Sequence, residues 1–454
     1  MPVWHARRSM PTDILEKLCA GQLTGIRRLD LRHCGLTEFP REIFQLADSL
    51  EVLDLSDNQL SSLPADLHRL ALLQTIFCSD NRFTELPPAL GKCGRLDMVG
   101  FKANRIVDVP GASLPQALRW LILTDNLIES LPDELGNRPR LQKLMLAGNR
   151  LRSLPHALAR CERLELLRIA ANRLESLPGW LLKLPRLSWI AYGGNPLTPH
   201  IAGQAQAPRP DFEWQQIQLG QVLGEGASGV IYQAQLCEGD SCRPVAVKVF
   251  KGRLTSDGLP ETEMAACLAA GRHGALIGAE GRVTGQPDGR PALLMPLVAP
   301  HWRVLAGPPS LQSCTRDVYP ETLRLDADKA LRIAGAIASA VAHLHRQGLL
   351  HGDLYAHNIL VDDRGNAMLG DFGAASFLAP GSSADTEKLQ QIEARGFGCL
   401  LEELRLLTDE KLHGSTMNGL ATLESACLDM DPSRRPLFGE IDTTLQRLRC
   451  ARAY

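Results

Sequence analysis

His351-Gly352-Asp353-Leu354-Tyr355-Ala356-His357-Asn358-Ile359-Leu360, followed by Asp371-Phe372-Gly373, is the stretch around which the second half of the chain is organised. It sets a carboxylate at 353, an amide five residues later and a second carboxylate thirteen residues after that. Such a set suits phosphoryl transfer. Asp353 can accept the proton of an attacking hydroxyl, while Asn358 and Asp371 offer hard oxygen ligands for Mg²⁺. Leu349, Leu350, Ile359, Leu360, Met368 and Leu369 flank these groups and read as short buried strands that hold them on a rigid base.

Working upstream, Gly224-Glu225-Gly226-Ala227-Ser228-Gly229-Val230-Ile231-Tyr232 follows an apolar strand carrying Ile217, Leu219, Val222 and Leu223. The G-x-G-x-x-G spacing alone says little. Here Val230, Ile231 and Tyr232 continue as a second strand instead of a helix, which disfavours a dinucleotide fold and favours a glycine hairpin over phosphates. Val245-Ala246-Val247-Lys248 comes next, and strand alternation puts Lys248 on the face of Ala246, toward a cleft. A surface strand lysine is the ordinary alternative.

At this point residues 220–445 resemble the eukaryotic-type protein kinase family. The resemblance implies a bilobal α+β domain using ATP and Mg²⁺, with Gly224, Gly226 and Gly229 over the triphosphate and Lys248 on the α/β-phosphates. It adds Leu223, Glu225, Ala227, Ser228, Ile231 and Ala246 to the nucleotide-binding set, and Met295 and Leu297 from Ala292-Leu293-Leu294-Met295-Pro296-Leu297, which looks like the hinge strand. Glu263 would be the helix acid that orients Lys248, with Glu261 the other candidate. Asp353 would be the base, and Asn358 and Asp371 the metal ligands. Asp326 to Arg346 reads as a long amphipathic helix with Leu331, Ala334, Ile337, Ala338, Val341 and Leu344 on one face. Asp431-Pro432-Ser433-Arg434-Arg435-Pro436 resembles the family's D-P-x-x-R-P segment.

Several positions depart from that pattern. Gly352 replaces the usual arginine before the base, so activation through a phosphorylated loop paired to that arginine is not expected. Tyr355 stands where Ser/Thr kinases carry a lysine supporting the transferred phosphate; Arg395 or a lysine elsewhere would have to compensate. Ser228 replaces the aromatic residue of the loop tip. Glu393-Ala394-Arg395-Gly396-Phe397-Gly398 begins only 22 positions after Asp371, with no A-P-E between them. The platform for a peptide substrate is thus shortened or absent, and Arg435 lacks its family partner, Glu387 being the nearest guess. Ser382, Ser383 and Thr386 in this segment are candidate autophosphorylation sites.

The first two hundred residues are repetitive. Asn58, Asn81, Asn104, Asn126, Asn149, Asn172 and Asn195 recur every 22 or 23 residues, with Cys34 in the equivalent place one unit earlier. Each Asn sits in L-x-x-L-x-L-x-x-N-x-L, as in Leu50-Glu51-Val52-Leu53-Asp54-Leu55-Ser56-Asp57-Asn58-Gln59-Leu60. This resembles the leucine-rich repeat family and implies an α/β solenoid with a curved parallel sheet, because no unit can bury its leucines alone. Residues 11–22 read as a short capping helix with Thr12 as N-cap. Alternation leaves Phe77, Met98, Trp120, Ile122, Met145, Leu166 and Trp189 facing the hollow side. Such a stripe predicts a protein-docking surface, or else packing against the chain's own second half. The expected organisation is a repeat domain over 1–199, a linker over 200–213 and a kinase-like domain over 214–454.

Length alone calls for more than one domain. A net charge of −2 gives no basic field to recruit nucleic acid or an anionic membrane. No signal-peptide pattern or spanning apolar run is seen, and the twelve cysteines show no C-x-x-C pair, so the expectation is a cytoplasmic protein with reduced thiols, Cys237 and Cys242 included. The leading functional expectation is a Ser/Thr protein kinase whose repeats choose the target, acting on a protein substrate or on itself. A nucleotide-gated scaffold and a small-molecule phosphotransferase of the same fold are the alternatives.

Overall fold

A computed structural model describes residues 11–198, 210–252, 254–379, 384–408 and 415–450. Most of the expected linker, together with Ser382 and Ser383, lies outside the described residues. The chain divides into two compact units, one of residues 1–164 with 172–174, the other of 165–171 with 175–454.

In the first unit, helix α1 (Pro11–Cys19) precedes six three-residue strands: β1 (Arg28–Asp30), β2 (Val52–Asp54), β3 (Thr75–Phe77), β4 (Met98–Gly100), β5 (Trp120–Ile122) and β6 (Lys143–Met145). Because α1 starts at Pro11, Thr12 falls inside its first turn and not at its cap. Consecutive strands are parallel and pair without register slip, as in Val52↔Thr75, Thr75↔Met98 and Met98↔Trp120. The central residue of each strand (Leu29, Leu53, Ile76, Val99, Leu121, Leu144) is fully buried, as the repeat pattern predicts. The repeated asparagines stitch the turns together. Asn126 Oδ1 accepts from Ile106 N at 3.0 Å, and its Nδ2 donates to Phe101 O and Leu123 O at 2.9 and 3.1 Å. One amide thus satisfies backbone groups of its own turn and of the preceding one, which is why the position repeats.

The apolar stripe is not open. Met98 and Met145 are buried and Phe77, Trp120 and Ile122 half-buried. Side chains of adjacent strands pack sideways on one another: Trp120 Nε1 donates to the diagonal Met145 Sδ at 3.4 Å, and the in-register Lys143 Nζ lies 4.1 Å from the Trp120 ring centroid. Phe77 lies over Gly100, where an added Cβ would come within 2.5 Å of its ring.

The second unit begins with a parallel strand pair, β7 (Leu166–Arg168) and β8 (Trp189–Ala191). Leu166 and Trp189, the other two stripe residues, are buried here at 3% and 1% exposure. A six-stranded sheet follows in the order Ile217–Glu225, Gly229–Glu238, Ser241–Phe250, Ala292–Pro296, Gly281–Thr284, Asp211–Glu213. Its strands are β9 (Asp211–Glu213), β10 (Ile217–Glu225), β11 (Gly229–Glu238), β12 (Ser241–Phe250), β13 (Gly281–Thr284) and β14 (Ala292–Pro296). Cys237 and Cys242 are joined by a disulfide, contrary to the reduced thiols expected from sequence. They are directly opposed in the β11–β12 ladder with Cα atoms 4.1 Å apart, a register the local spelling did not reveal.

Helix α2 (Pro260–Ala269) sits beside this sheet, and the helical part holds α3 (Ala327–Arg346), α4 (Ala384–Leu406), α5 (Ser415–Cys427) and α6 (Phe438–Cys450). Asp326 caps α3 by accepting from Lys329 N at 2.7 Å. The expected face of α3 (Leu331, Ala334, Ile337, Val341, Leu344) is buried in one core with Phe397, Phe438 and Ile441. Short antiparallel strands, Leu349–Leu350 with Ser376–Phe377 and Ile359–Val361 with Ala367–Leu369, flank the Asp353 loop. Among the described residues no helix is long and apolar enough to cross a membrane.

Candidate active site

β10 and β11 form a hairpin whose turn is closed by Gly226 N donating to Gly229 O at 2.9 Å. Gly229 passes so close to β12 that a Cβ would meet Val249 O at 2.6 Å. Beneath the hairpin is a cavity of about 240 Å³ lined by Ser228, Lys248, Glu263, Met295, Asp371 and Phe372, among others. Gly226, Ala227, Gly229 and Ile231 also line it, whereas Leu223, Gly224, Glu225, Ala246 and Leu297 are not on its wall. Ala246 is buried in the sheet, paired with Met295, and the Leu223 side chain is largely exposed.

Lys248 Nζ bonds Glu263 Oε1, and both side chains are withdrawn from solvent at 12% and 3% exposure. Glu261, the other candidate, is exposed. Burial opposes the charge of Lys248, yet Glu263 and then Asp371 hold its ammonium above the ordinary lysine range. Burial pushes the Glu263 carboxyl up, with Lys248 pulling it back and Asp371 adding to the rise.

The loop from 351 to 358 is held by its own polar groups. Asp353 N donates to His351 Nδ1 at 3.3 Å, which leaves Nε2–H to donate to Gly370 O at 2.8 Å. Asn358 Nδ2 donates to Asp353 O at 2.9 Å and to Asp353 Oδ2 at 2.8 Å. With its donors spent on Asp353, the amide of Asn358 keeps its oxygen as the group to offer a cation. Asp371 has φ of 53°, a left-handed conformation rare outside glycine, and its Oδ1 accepts from Gly373 N at 3.0 Å. This turn presents an exposed carboxylate at the cavity wall. An amide oxygen and a carboxylate are the donor types Mg²⁺ takes, so these residues fit such an ion.

Arg168, from β7, completes the surroundings of Asp353. Its Nη2 donates to Asp353 Oδ1, its Nη1 to Gly352 O at 3.0 Å and its Nε to Asp257 Oδ1 at 2.7 Å. Burial, then the neighbouring Asp257 and Asp371 charges, push the Asp353 carboxyl up, against the pull of the Arg168 guanidinium. From β8, Trp189 stacks on Tyr355 with centroids 4.3 Å apart and donates from Nε1 to Leu354 O at 3.0 Å. Tyr192 N and Gly193 N both donate to Ser376 Oγ at 3.1 Å.

A family model described as protein tyrosine and serine/threonine kinase matches residues 217–395, and one described as leucine rich repeat matches 24–83, 116–174 and 139–197. The chain joins leucine-rich repeats to a protein kinase domain. It is 30% identical over 167 residues to CBL-interacting protein kinase 22 of Oryza sativa subsp. japonica, covering 35% of this chain and 36% of that protein. With fibroblast growth factor receptor 1 of Pleurodeles waltl it shares 24% identity over 311 residues, 57% of this chain and 38% of the receptor. With serine/threonine-protein kinase PrkC of Bacillus subtilis it shares 34% over 101 residues, 22% of this chain and 13% of the other. The chain therefore spans well under two thirds of the length of these relatives. A leucine-rich-repeat protein of Leptospira interrogans with a solved structure matches at 29% identity and a TM-score of 0.37, over 40% of this chain and 46% of that one.

Within the kinase domain, the departures noted from sequence have physical causes. Gly352 has φ of 74°, and a Cβ there would lie 2.6 Å from both Ala374 O and Ile190 O, so an arginine does not fit this backbone. Arg435 is not paired with Glu387. Its guanidinium donates to the carbonyls of Asp429, Gln391 and Pro185, at 2.9, 3.3 and 2.6 Å. Arg395 donates to Ser188 Oγ at 2.8 Å, and the cation that reaches Asp353 is Arg168. Thr386 is buried on α4. Sequence reasoning missed Arg168 and Asp257. The available signal for Arg168 was a charge on the hollow side at a strand position where the neighbouring units carry Met145 and Ala191, although the same column holds Asp30 and Asp54 in the first two units.

Proposed function

We propose that the kinase domain transfers the γ-phosphoryl group of Mg·ATP to a Ser/Thr hydroxyl of a protein, this chain included, and that the repeats are its protein-binding module. In this reading the domain runs from 214 to 454 after a linker over 200–213, the repeats occupy 1–199, and the protein works in the cytoplasm. The observation that carries it is one cavity walled by the Lys248–Glu263 pair, the glycine hairpin and Asp371, with Asn358 bonded to Asp353 in the adjoining loop.

Each group has one task. Lys248, fixed by Glu263, meets the phosphates. Asn358 and Asp371 would hold Mg²⁺, which when bound neutralises phosphate charge. Asp353 orients the acceptor hydroxyl: the new oxygen–phosphorus bond forms as the bond to ADP breaks, and the hydroxyl proton passes to the carboxylate. Positioning and fixed charge do the catalytic work.

A second reading, a nucleotide-binding switch without transfer, is favoured by one observation: both oxygens of Asp353 already accept hydrogen bonds. Incubating wild type and Asp353→Asn with Mg·ATP and mapping phosphosites by mass spectrometry separates the two. Phosphoserine or phosphothreonine in the wild type, and far less of it in Asp353→Asn, supports transfer. Nucleotide binding with no phosphosite on the chain or on any added protein favours the switch, and phosphotyrosine alone would correct the acceptor.

A further inference from the structure

Arg168 is a repeat residue by sequence and an active-site residue by position. It lies on β7, is 1% exposed, and spends its guanidinium on Asp353 Oδ1, Gly352 O and Asp257 Oδ1. Nothing in the repeat requires it. The equivalent position of β8, paired with it in register, is Ala191. A buried guanidinium is costly unless its donors are matched, and these are matched by the base loop and by Asp257 of the segment before α2. Inside the catalytic loop itself, position 355 carries a tyrosine that is stacked under Trp189 and so offers no charge.

We propose that Arg168 is the positioning cation of the catalytic loop: a residue of the repeats that holds Asp353 in the orientation from which it meets the acceptor hydroxyl. The proposal rests on the phosphotransfer reading above. Two fixed contacts define the carboxylate plane, Arg168 on Oδ1 and Asn358 on Oδ2. A third, from Arg168 to Gly352 O, ties the backbone next to the base to the same guanidinium. The planar fork matters as well as the charge, because a lysine cannot reach three acceptors in these directions at once. Trp189 supports the arrangement from β8 by bonding Leu354 O. The last two repeat strands are then part of the active site, and the guanidinium bonded to Asp353 comes from them, while His357 of the loop itself is bonded to Asp317.

The test is a double-mutant cycle on the full chain, reading phosphotransfer kcat and KM for ATP in Arg168→Gln, Asp353→Asn and the pair. Arg168→Gln is expected to lower kcat by about 10²-fold with KM for ATP unchanged. In the Asp353→Asn background the same change should cost nothing further, since Arg168 acts only through Asp353. Arg168→Lys, which keeps charge and loses the fork, should fall between wild type and Arg168→Gln, and it carries the test should the glutamine variant not fold. Multiplicative losses in the double variant would overturn the proposal. So would a kcat that rises in Arg168→Gln, which would make the arginine a block on the base. A wild type that binds Mg·ATP and transfers nothing would remove the phosphotransfer reading itself. An active wild type with an equally active Arg168→Gln would remove only this inference.

Discussion

Replacing Lys248 by Met removes the cation of a buried pair and leaves Glu263, whose side chain is 3% exposed, beside Asp371. Breaking a buried pair by removing one partner costs about 3–5 kcal/mol when the remaining charge stays ionised. Glu263 can escape by taking a proton. Its carboxyl, already raised by burial, rises further once Lys248 no longer opposes it, while in the unfolded chain it titrates near the ordinary value of 4.5. The folded variant then binds more protons than the unfolded chain across the window above that value, so its stability falls as pH rises through it. At pH 8 the variant should unfold at a urea midpoint lower by about 1 M, and near pH 4 the deficit should largely vanish. Adding Glu263→Gln should restore most of the loss at pH 8, because the leftover group can no longer ionise, without restoring phosphotransfer. Urea unfolding at both pH values with a parallel Mg·ATP assay tests this. An unchanged midpoint at pH 8, or a double variant no more stable than Lys248→Met, would refute the electrostatic account of the pair, and retained phosphotransfer would refute the assignment of Lys248.

Two further outcomes follow from other buried polar groups. Burial, with Asp317 adding to it, pushes the Glu403 carboxyl up to about 7 against the hydrogen bond from Tyr319. Folding therefore takes up a proton between about 4.5 and 7 and loses stability as pH rises through that range, so Glu403→Gln should stabilise by on the order of 1–3 kcal/mol at pH 8 and be neutral at pH 4. Asn126→Ala strands the buried Ile106 N–H and two carbonyls of the adjoining turns. It should cost on the order of 2–4 kcal/mol in chemical unfolding, whereas substituting the exposed Gln59 of an earlier unit should cost little.

The repeats were legible because their signal is periodic. A recurring asparagine, replaced by Cys34 in the first unit, and a recurring buried aliphatic column mark the units, and each prediction about which strand residue is buried concerns neighbours in sequence. The kinase part was legible for a similar reason. The glycine hairpin, Lys248 and the 351–373 loop are local constellations whose spacing reflects local backbone geometry. Glu263 rather than Glu261 is selected by helix phase, with Glu263 turned inward.

What escaped was long-range. The ion pair of Arg168 with Asp353 joins residues 185 apart, and no local pattern marks either as the other's partner. Alternation gives the face of the seven-residue stripe and not what covers it: Trp189 packs on Tyr355 of the second half, the alternative weighed from sequence, Met145 accepts from Trp120, and Phe77, Trp120 and Ile122 stay half-buried. Gly352 could be noticed as a departure from sequence, but its cause, two carbonyl oxygens where a Cβ would go, needed coordinates.

Phosphotransfer by this domain requires a nucleotide with its divalent ion in the cavity between the glycine hairpin and Asp371. Calorimetric titration of ATP into wild type and Asp371→Asn, each with and without Mg²⁺, tests it most directly. Wild type should bind one ATP and bind it more tightly with Mg²⁺ present, and Asp371→Asn should lose that enhancement while still binding the nucleotide. No binding by wild type, or an affinity indifferent to both Mg²⁺ and Asp371, would contradict it.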